Sequence, residues 1–269
     1  MSPYKPEVHA YLERIGYRGP IDGSLVMLRK LQECHLHTVP YENLDIIHGI
    51  PLSLEIPDLY DKIVTRQRGG YCFELNALFG WLLRELGFHV TDLVARFWRD
   101  ESAPPPKRRH HVLKVGVEGE DASYLCDVGV GGIVPRQPIK LVKEVSQEQG
   151  SEIYRMAYDP LYGWVLCEWK KDEWLWIYSF TEEPQNAKDF IFASYWCEHS
   201  SDSIFKQSVM LSLRSRDGRY TVAGEEFRIF SSDGISTFIP TGIEAYNEAL
   251  SKYFGISMSS STEKVHSLE

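Results

Sequence analysis

Three residues in this chain have the types and settings for covalent chemistry: Cys72, His111 and Asp127. Cys72 lies in Arg68-Gly-Gly-Tyr-Cys-Phe-Glu-Leu-Asn76. The glycine pair lets the backbone turn sharply and approach a neighbour closely. The apolar residues that follow, Leu75, Leu78, Phe79, Leu82, Leu83 and Leu86, recur on one helical face, and Gly87 stands where such a helix ends. Cys72 is therefore expected in the first turn of a buried helix. There it meets unpaired N–H groups and the positive end of the helix dipole. Both favour anionic sulfur, the nucleophilic form.

The histidine and aspartate come from two short segments further on. Arg109-His-His-Val-Leu-Lys-Val-Gly-Val117 reads as a strand with His111, Leu113, Val115 and Val117 on one face. Ser123-Tyr-Leu-Cys-Asp-Val128 reads as a second strand. If the turn is Glu118-Gly-Glu120, His111 pairs with Asp127; a five-residue turn makes them diagonal neighbours on the same face. A carboxylate on an inward face needs a partner, because an unpaired buried charge is costly. His111 is the expected one. A histidine held by a carboxylate and facing a helix-start cysteine is the Cys–His–Asp arrangement for covalent catalysis. Taken alone, Cys72 would read as a small buried hydrophobe; the histidine and aspartate argue against that.

The elements that must position these groups fall into three parts. Residues 1–88 read as helical, with segments near 5–15, 24–36, 57–66 and 72–86 and breaks at Pro40, Pro51 and Pro57. Residues 89–185 read as strands near 89–98, 110–117, 123–128, 152–158, 163–169 and 174–180. The segment Asp100–Arg109 is too proline-rich for a sheet interior. Residues 186–269 open with a segment near 186–199. Strands near 208–214, 219–223 and 226–230 follow, then a helix from Thr241 to Phe254 with Ile243, Tyr246, Leu250 and Phe254 on its apolar face. The Ser-rich tail from Ser257 is expected to be mobile. The tryptophans between 152 and 180 (Trp164, Trp169, Trp174 and Trp176) are expected in the sheet core.

These residues resemble the arylamine N-acetyltransferase family. The resemblance rests on Arg68–Asn76, on His111 within Arg-His-His-Val-Leu, and on Asp127-Val-Gly-Val-Gly-Gly132. Val39-Pro-Tyr-Glu-Asn-Leu-Asp45, Tyr11-Leu-Glu-Arg-Ile-Gly16, and Asp189-Phe190 followed by Ser203-Ile-Phe205 extend it over roughly positions 10 to 255. It implies an α+β fold in which a helical bundle, a β-barrel and an α/β lid surround a core like that of papain-type cysteine enzymes. It implies acetyl-coenzyme A as cosubstrate and small aromatic amines, hydrazines or hydroxylamines as acceptors, with ping-pong kinetics. In that scheme Cys72 attacks the thioester, His111 moves protons and Asp127 orients the imidazole. Lys107, His110 and Trp196 align with positions that touch coenzyme A in relatives. Tyr41 and Val130, at substrate-contact positions, stand where phenylalanines are expected; His110 stands where a small polar residue is usual. A cysteine hydrolase or transglutaminase-like enzyme, and a macrolactam-forming amide synthase, use the same triad with other acceptors and stay open as alternatives. A binding protein with a relict triad is disfavoured by three intact residues.

Composition bounds the rest. A net charge of −9 argues against a general nucleic-acid or anionic-membrane surface. No run of 18 apolar residues and no apolar leader is visible, and five cysteines without a CxxC pair fit free thiols in a reducing cytoplasm. Cys34-His-Leu-His37 has poor spacing for one metal, so no metal site is expected. Arg68 is expected to pair with Glu42, and Lys107-Arg108-Arg109 to form a solvated loop. The glycines Gly129, Gly131 and Gly132 match no phosphate-loop pattern; close backbone approach at the cleft is their expected use.

Overall fold

The computed structural model describes residues 5–99 and 105–257. The tail beyond Ser257 and the start of the proline-rich segment lie outside the described residues. Five helices come first: α1 (Val8–Arg14), α2 (Leu25–Thr38), α3 (Leu44–Ile47), α4 (Ile56–Tyr60) and α5 (Cys72–Glu85), with a two-residue strand β1 (Tyr41–Glu42) between α2 and α3. Ser24 starts α2 by accepting the Met27 N–H at 3.1 Å. α4 runs directly into a π turn over Asp61–Thr65. The apolar stripe of α5 is fully buried at Leu75, Leu78, Phe79, Leu82 and Leu83, and the chain leaves it through Gly87 at φ 87°.

Eight strands follow: β2 (His89–Phe97), β3 (Arg108–Gly116), β4 (Tyr124–Cys126), β5 (Ile139–Lys140), β6 (Gln147–Gln149), β7 (Glu152–Asp159), β8 (Gly163–Lys170) and β9 (Glu173–Phe180). They form one antiparallel sheet in the order β5-β4-β3-β2-β9-β8-β7-β6. A bridge from Lys143 to Met156 brings its ends together into a nearly closed barrel. Tyr154, Met156, Tyr178 and Phe180 fill its interior. The expected core placement of the tryptophans is corrected. A register shift opposite Leu166/Cys167 switches the phase of β9. Trp176 therefore turns outward although it keeps step with Tyr178 and Phe180 in sequence. Trp169 and Trp176 are exposed, Trp174 is half-buried, and Trp164 packs at the edge of the core.

The last part holds α6 (Phe190–His199), α7 (Ile204–Gln207), β10 (Met210–Arg214), β11 (Arg219–Ala223), β12 (Glu226–Ser231), β13 (Gly234–Phe238) and α8 (Ile243–Phe254). The order of the second sheet is β1-β10-β11-β12-β13, so Tyr41–Glu42 from the helical part form its edge. α8 covers it with Leu250 and Phe254; Ile243, expected on the same face, is 44% exposed. One apolar core runs from α1, α2 and α5 into the barrel. A separate cluster of Tyr71, Cys72, Phe73, Phe190, Cys197 and Phe205 joins the start of α5 to α6 and α7.

His35 on α2 sits inside the main core. Its Nδ1 meets the Tyr11 hydroxyl at 3.1 Å, and its Nε2 has no partner among the described residues. Burial, helped by the nearby Arg14 charge, pulls its pKa down to about 3. The unfolded chain takes up a proton near 6.5 that the folded chain refuses. Stability should be complete above that pH and fall below it, by about 1.4 kcal/mol per pH unit from this group. His35→Gln should flatten that acid limb in urea unfolding between roughly pH 6 and 4; an unchanged slope would contradict the assignment.

Candidate active site

The turn between β3 and β4 decides which histidine meets the aspartate. The ladder pairs Leu113 with Cys126, Lys114 with Leu125 and Val115 with Tyr124. This is one residue from the expected pairing, and a one-residue slip exchanges the faces of a strand. Asp127 therefore falls in with His110. His110 Nε2 lies 2.7 Å from Asp127 Oδ2, both side chains buried. His111 points the other way: its Nε2 lies 2.9 Å from Asp92 Oδ1, and its ring stacks on Phe190 at 4.1 Å and 27°. The expected His111–Asp127 pair is thus not formed. His110, expected at a cofactor contact, is instead the buried partner of Asp127. Two adjacent histidines gave the sequence no way to choose between turns of odd and even length.

Cys72 opens α5 and is 3% exposed. Its thiol donates to the Arg109 carbonyl at 3.7 Å, and the sulfur acts on the charge of the nearby His110 ring. Asp127 occupies Nε2 of His110, so Nδ1 is the nitrogen left for sulfur. Glu74 steadies this helix start by accepting the Tyr71 N–H at 3.0 Å, and it pairs with Lys62 at 2.7 Å. Lys62 in turn meets Asp45, and Asp45 meets Arg68. The expected Arg68–Glu42 pair closes this buried network at 2.7 Å. A polar cavity of about 590 Å³ borders it, lined in part by Asp45, Lys62, Arg68 and Glu74 and by none of Cys72, His110 and Asp127.

Asn76, one turn along from Cys72, has a site role that the sequence does not announce. Its amide donates to Asp127 Oδ1 at 2.8 Å and to the His111 carbonyl at 2.7 Å, and accepts the Val128 N–H at 2.9 Å. One side chain thus ties the helix carrying Cys72 to both segments carrying the dyad. The available signal was an amide on the buried side of an apolar helix, which must find partners. Asp127 also accepts the Gly129 N–H at 2.8 Å. Gly129 approaches so closely that an added Cβ would lie 2.7 Å from Cys72 Cα.

Charge separates the two histidines. Burial disfavours a cationic His110, but the Asp127 carboxylate, its hydrogen bond and the Cys72 sulfur outweigh burial and push the pKa up to about 10. Burial likewise opposes an ionised Asp127. His110, Asn76 and the Gly129 N–H overcome it and hold the carboxyl below its usual range. For His111 burial wins over Asp92, and its pKa is lowered. A cationic imidazole between a carboxylate and a sulfur can stabilise the sulfur as an anion and hand its proton to a leaving group; a ring stacked on phenylalanine and turned away from Asp127 is not placed for that step.

The other expected contacts lie around this centre. Exposed Lys107 sits over the half-buried Trp196 ring at 4.7 Å. Tyr41 and Val130 are half-buried, and both pack on the main core. Among the described residues, no group of three His, Cys, Asp or Glu side chains is arranged to hold a metal, and no helix is long and apolar enough to cross a membrane.

A family model described as N-acetyltransferase matches residues 24–263. The arylamine N-acetyltransferase of Mycobacterium tuberculosis (strain ATCC 25618 / H37Rv) is 34% identical over 261 residues, covering 96% of this chain and 92% of that protein. The solved structure of Mycobacterium marinum arylamine N-acetyltransferase in complex with CoA matches with a TM-score of 0.86 at 34% identity, over 93% of each chain. Arylamine N-acetyltransferase from Salmonella typhimurium matches with a TM-score of 0.88 at 28% identity, over 97% of this chain and 94% of that one. Sequence and fold agree over nearly the whole length, and the chain belongs to the arylamine N-acetyltransferase family.

Proposed function

We propose that this protein moves acetyl from acetyl-coenzyme A to the nitrogen of arylamines or aryl hydrazines, or to arylhydroxylamines, through a thioester on Cys72. The 2.7 Å His110–Asp127 pair beside a helix-start cysteine carries this reading. At the start His110 already holds the proton, and in the first half-reaction the Cys72 sulfur attacks the donor carbonyl as a thiolate paired with the imidazolium. The N–H groups of the first turn of α5 stabilise the developing oxyanion. The carbon–sulfur bond to coenzyme A then breaks, and the departing thiolate takes the proton from His110. In the second, the amine attacks the acetyl carbon on Cys72, His110 accepts its proton, and the Cys72–acetyl bond breaks. Asp127 holds the ring and balances its charge throughout. Lys107 and Trp196 at the rim contact the donor, and Tyr41 and Val130 line the acceptor side. The free cysteines fit a reducing cytoplasm.

The acceptor class follows from acid–base chemistry. An alkyl amine is neutral in only about one molecule in a thousand at pH 7, whereas an aromatic amine is almost wholly neutral. Pre-acetylated enzyme should discharge to aniline-type amines and aryl hydrazines at least about a hundredfold faster than to alkyl amines of similar size. The measurement is loss of the acetyl adduct against amine concentration. Equal rates, or faster loss to water than to any aryl amine, would favour a hydrolase or an amide synthase instead.

A further inference from the structure

Arg214 and Arg219 stand directly opposite each other where β10 turns into β11. Like charges in that position destabilise a sheet unless something between them is negative. The negative charge at hand falls short. Arg214, 5% exposed, donates to Glu152 Oε1 at 3.2 Å and to the Val134 carbonyl at 2.7 Å. Arg136 reaches the other oxygen of Glu152 at only 3.6 Å. Arg219 makes no hydrogen bond or ion pair among the described residues; its guanidinium lies over the Phe230 ring at 4.0 Å. The Nε atoms of Arg136, Arg214 and Arg219 and the Oε2 atom of Glu152 are all buried and without a hydrogen-bond partner among the described residues. Two other groups act on Arg219, Arg99 and Glu168, and they pair with each other. Three guanidiniums thus stand near one carboxylate, which pairs with only two of them, in a protein whose net charge is −9.

The cluster lies where the barrel meets the second sheet, at the far end of the loop whose near end touches Cys72. Gly132 packs so closely on Arg219 that an added Cβ would lie 2.8 Å from its Cδ, and the Gly132 N–H donates to Ser212 Oγ at 2.9 Å. We propose that Arg136, Arg214 and Arg219 form a binding site for a phosphate-class oxyanion. Forked guanidinium donors match the tetrahedral oxygens of such a group, and its charge would relieve the Arg214–Arg219 opposition. The anion is a phosphate of the coenzyme A donor or a free phosphate. The first source rests on the function proposed above; the site itself does not.

Inorganic pyrophosphate tests the site by calorimetry on the full chain. Wild type should bind it, and Arg219→Gln should bind it at least about tenfold more weakly. Arg219→Lys keeps the charge without the fork and should also bind more weakly; it serves if the glutamine variant does not fold. Equal affinity in wild type and a folded variant, or no binding to wild type at millimolar concentration, overturns the proposal. The source is read from Cys72 acetylation by acetyl-coenzyme A relative to S-acetyl-N-acetylcysteamine, which has no phosphate. A fall in that ratio of about tenfold or more in Arg219→Gln assigns the site to the donor. An unchanged ratio alongside weakened pyrophosphate binding assigns it to a free anion. If wild type takes acetyl from neither thioester, the transferase reading fails while the pyrophosphate result stands.

Discussion

His110→Ala should slow acetylation of Cys72 by about 10³-fold or more, whereas His111→Leu should stay within about fivefold of wild type. Removing His110 takes away the imidazole that, among the described residues, pairs with Asp127 beside the Cys72 sulfur. Removing His111 deletes a lowered-pKa ring whose Nδ1 already has no partner among the described residues. Leucine offers Phe190 a similar apolar surface, and Asp92 keeps Arg84 as its ion partner. Thermal unfolding of both variants checks that each is folded. Comparable losses in the two, or a larger loss in His111→Leu, would contradict the geometry.

Asp127→Asn should lower acetyl transfer by about 10²–10⁴-fold with the fold retained, because an amide cannot hold the imidazole in the required tautomer or balance its charge. The same change alters the pH response. The His110 pKa is raised on folding, so its contribution to stability is complete below about 6.5 and is lost as pH rises through about 10. Without the carboxylate, burial dominates and the imidazole gives up its proton at far lower pH. The alkaline decline in stability between those limits should be present in wild type and absent in Asp127→Asn. An NMR titration of the His110 ring reads the shift directly. A ring that still titrates near 10 in the variant would show that Asp127 does not set its charge.

Much of the scaffold was legible because its signals are local. The stripe Leu75–Leu78–Phe79–Leu82–Leu83, bounded by Gly70 and Gly87, gave the helix that positions Cys72 almost to the residue. Alternation and turn residues located β2, β3, β7, β8 and β9. The identity of the histidine was not legible: turns of three and five residues both put His111 on the face of Asp127, whereas the actual register, one residue away, puts His110 there. The same limit hid the phase change in β9 that turns Trp176 outward. Short strands such as β5, β6 and β13 escaped because their pairing comes from partners far along the chain. Asn76, Asp92 and the Arg214–Arg219 opposition are properties of contact, visible only once the sheets and α5 are assembled.

The most direct test is intact mass of the protein after incubation with acetyl-coenzyme A and no amine. Wild type should gain one acetyl group, mapped to the peptide carrying Cys72, and His111→Leu should gain it at a similar rate. Cys72→Ser should gain none, and His110→Ala almost none on the same timescale. Acetylation confined to lysines, or an adduct that forms as fast in His110→Ala as in wild type, would contradict a thioester assembled by Cys72, His110 and Asp127.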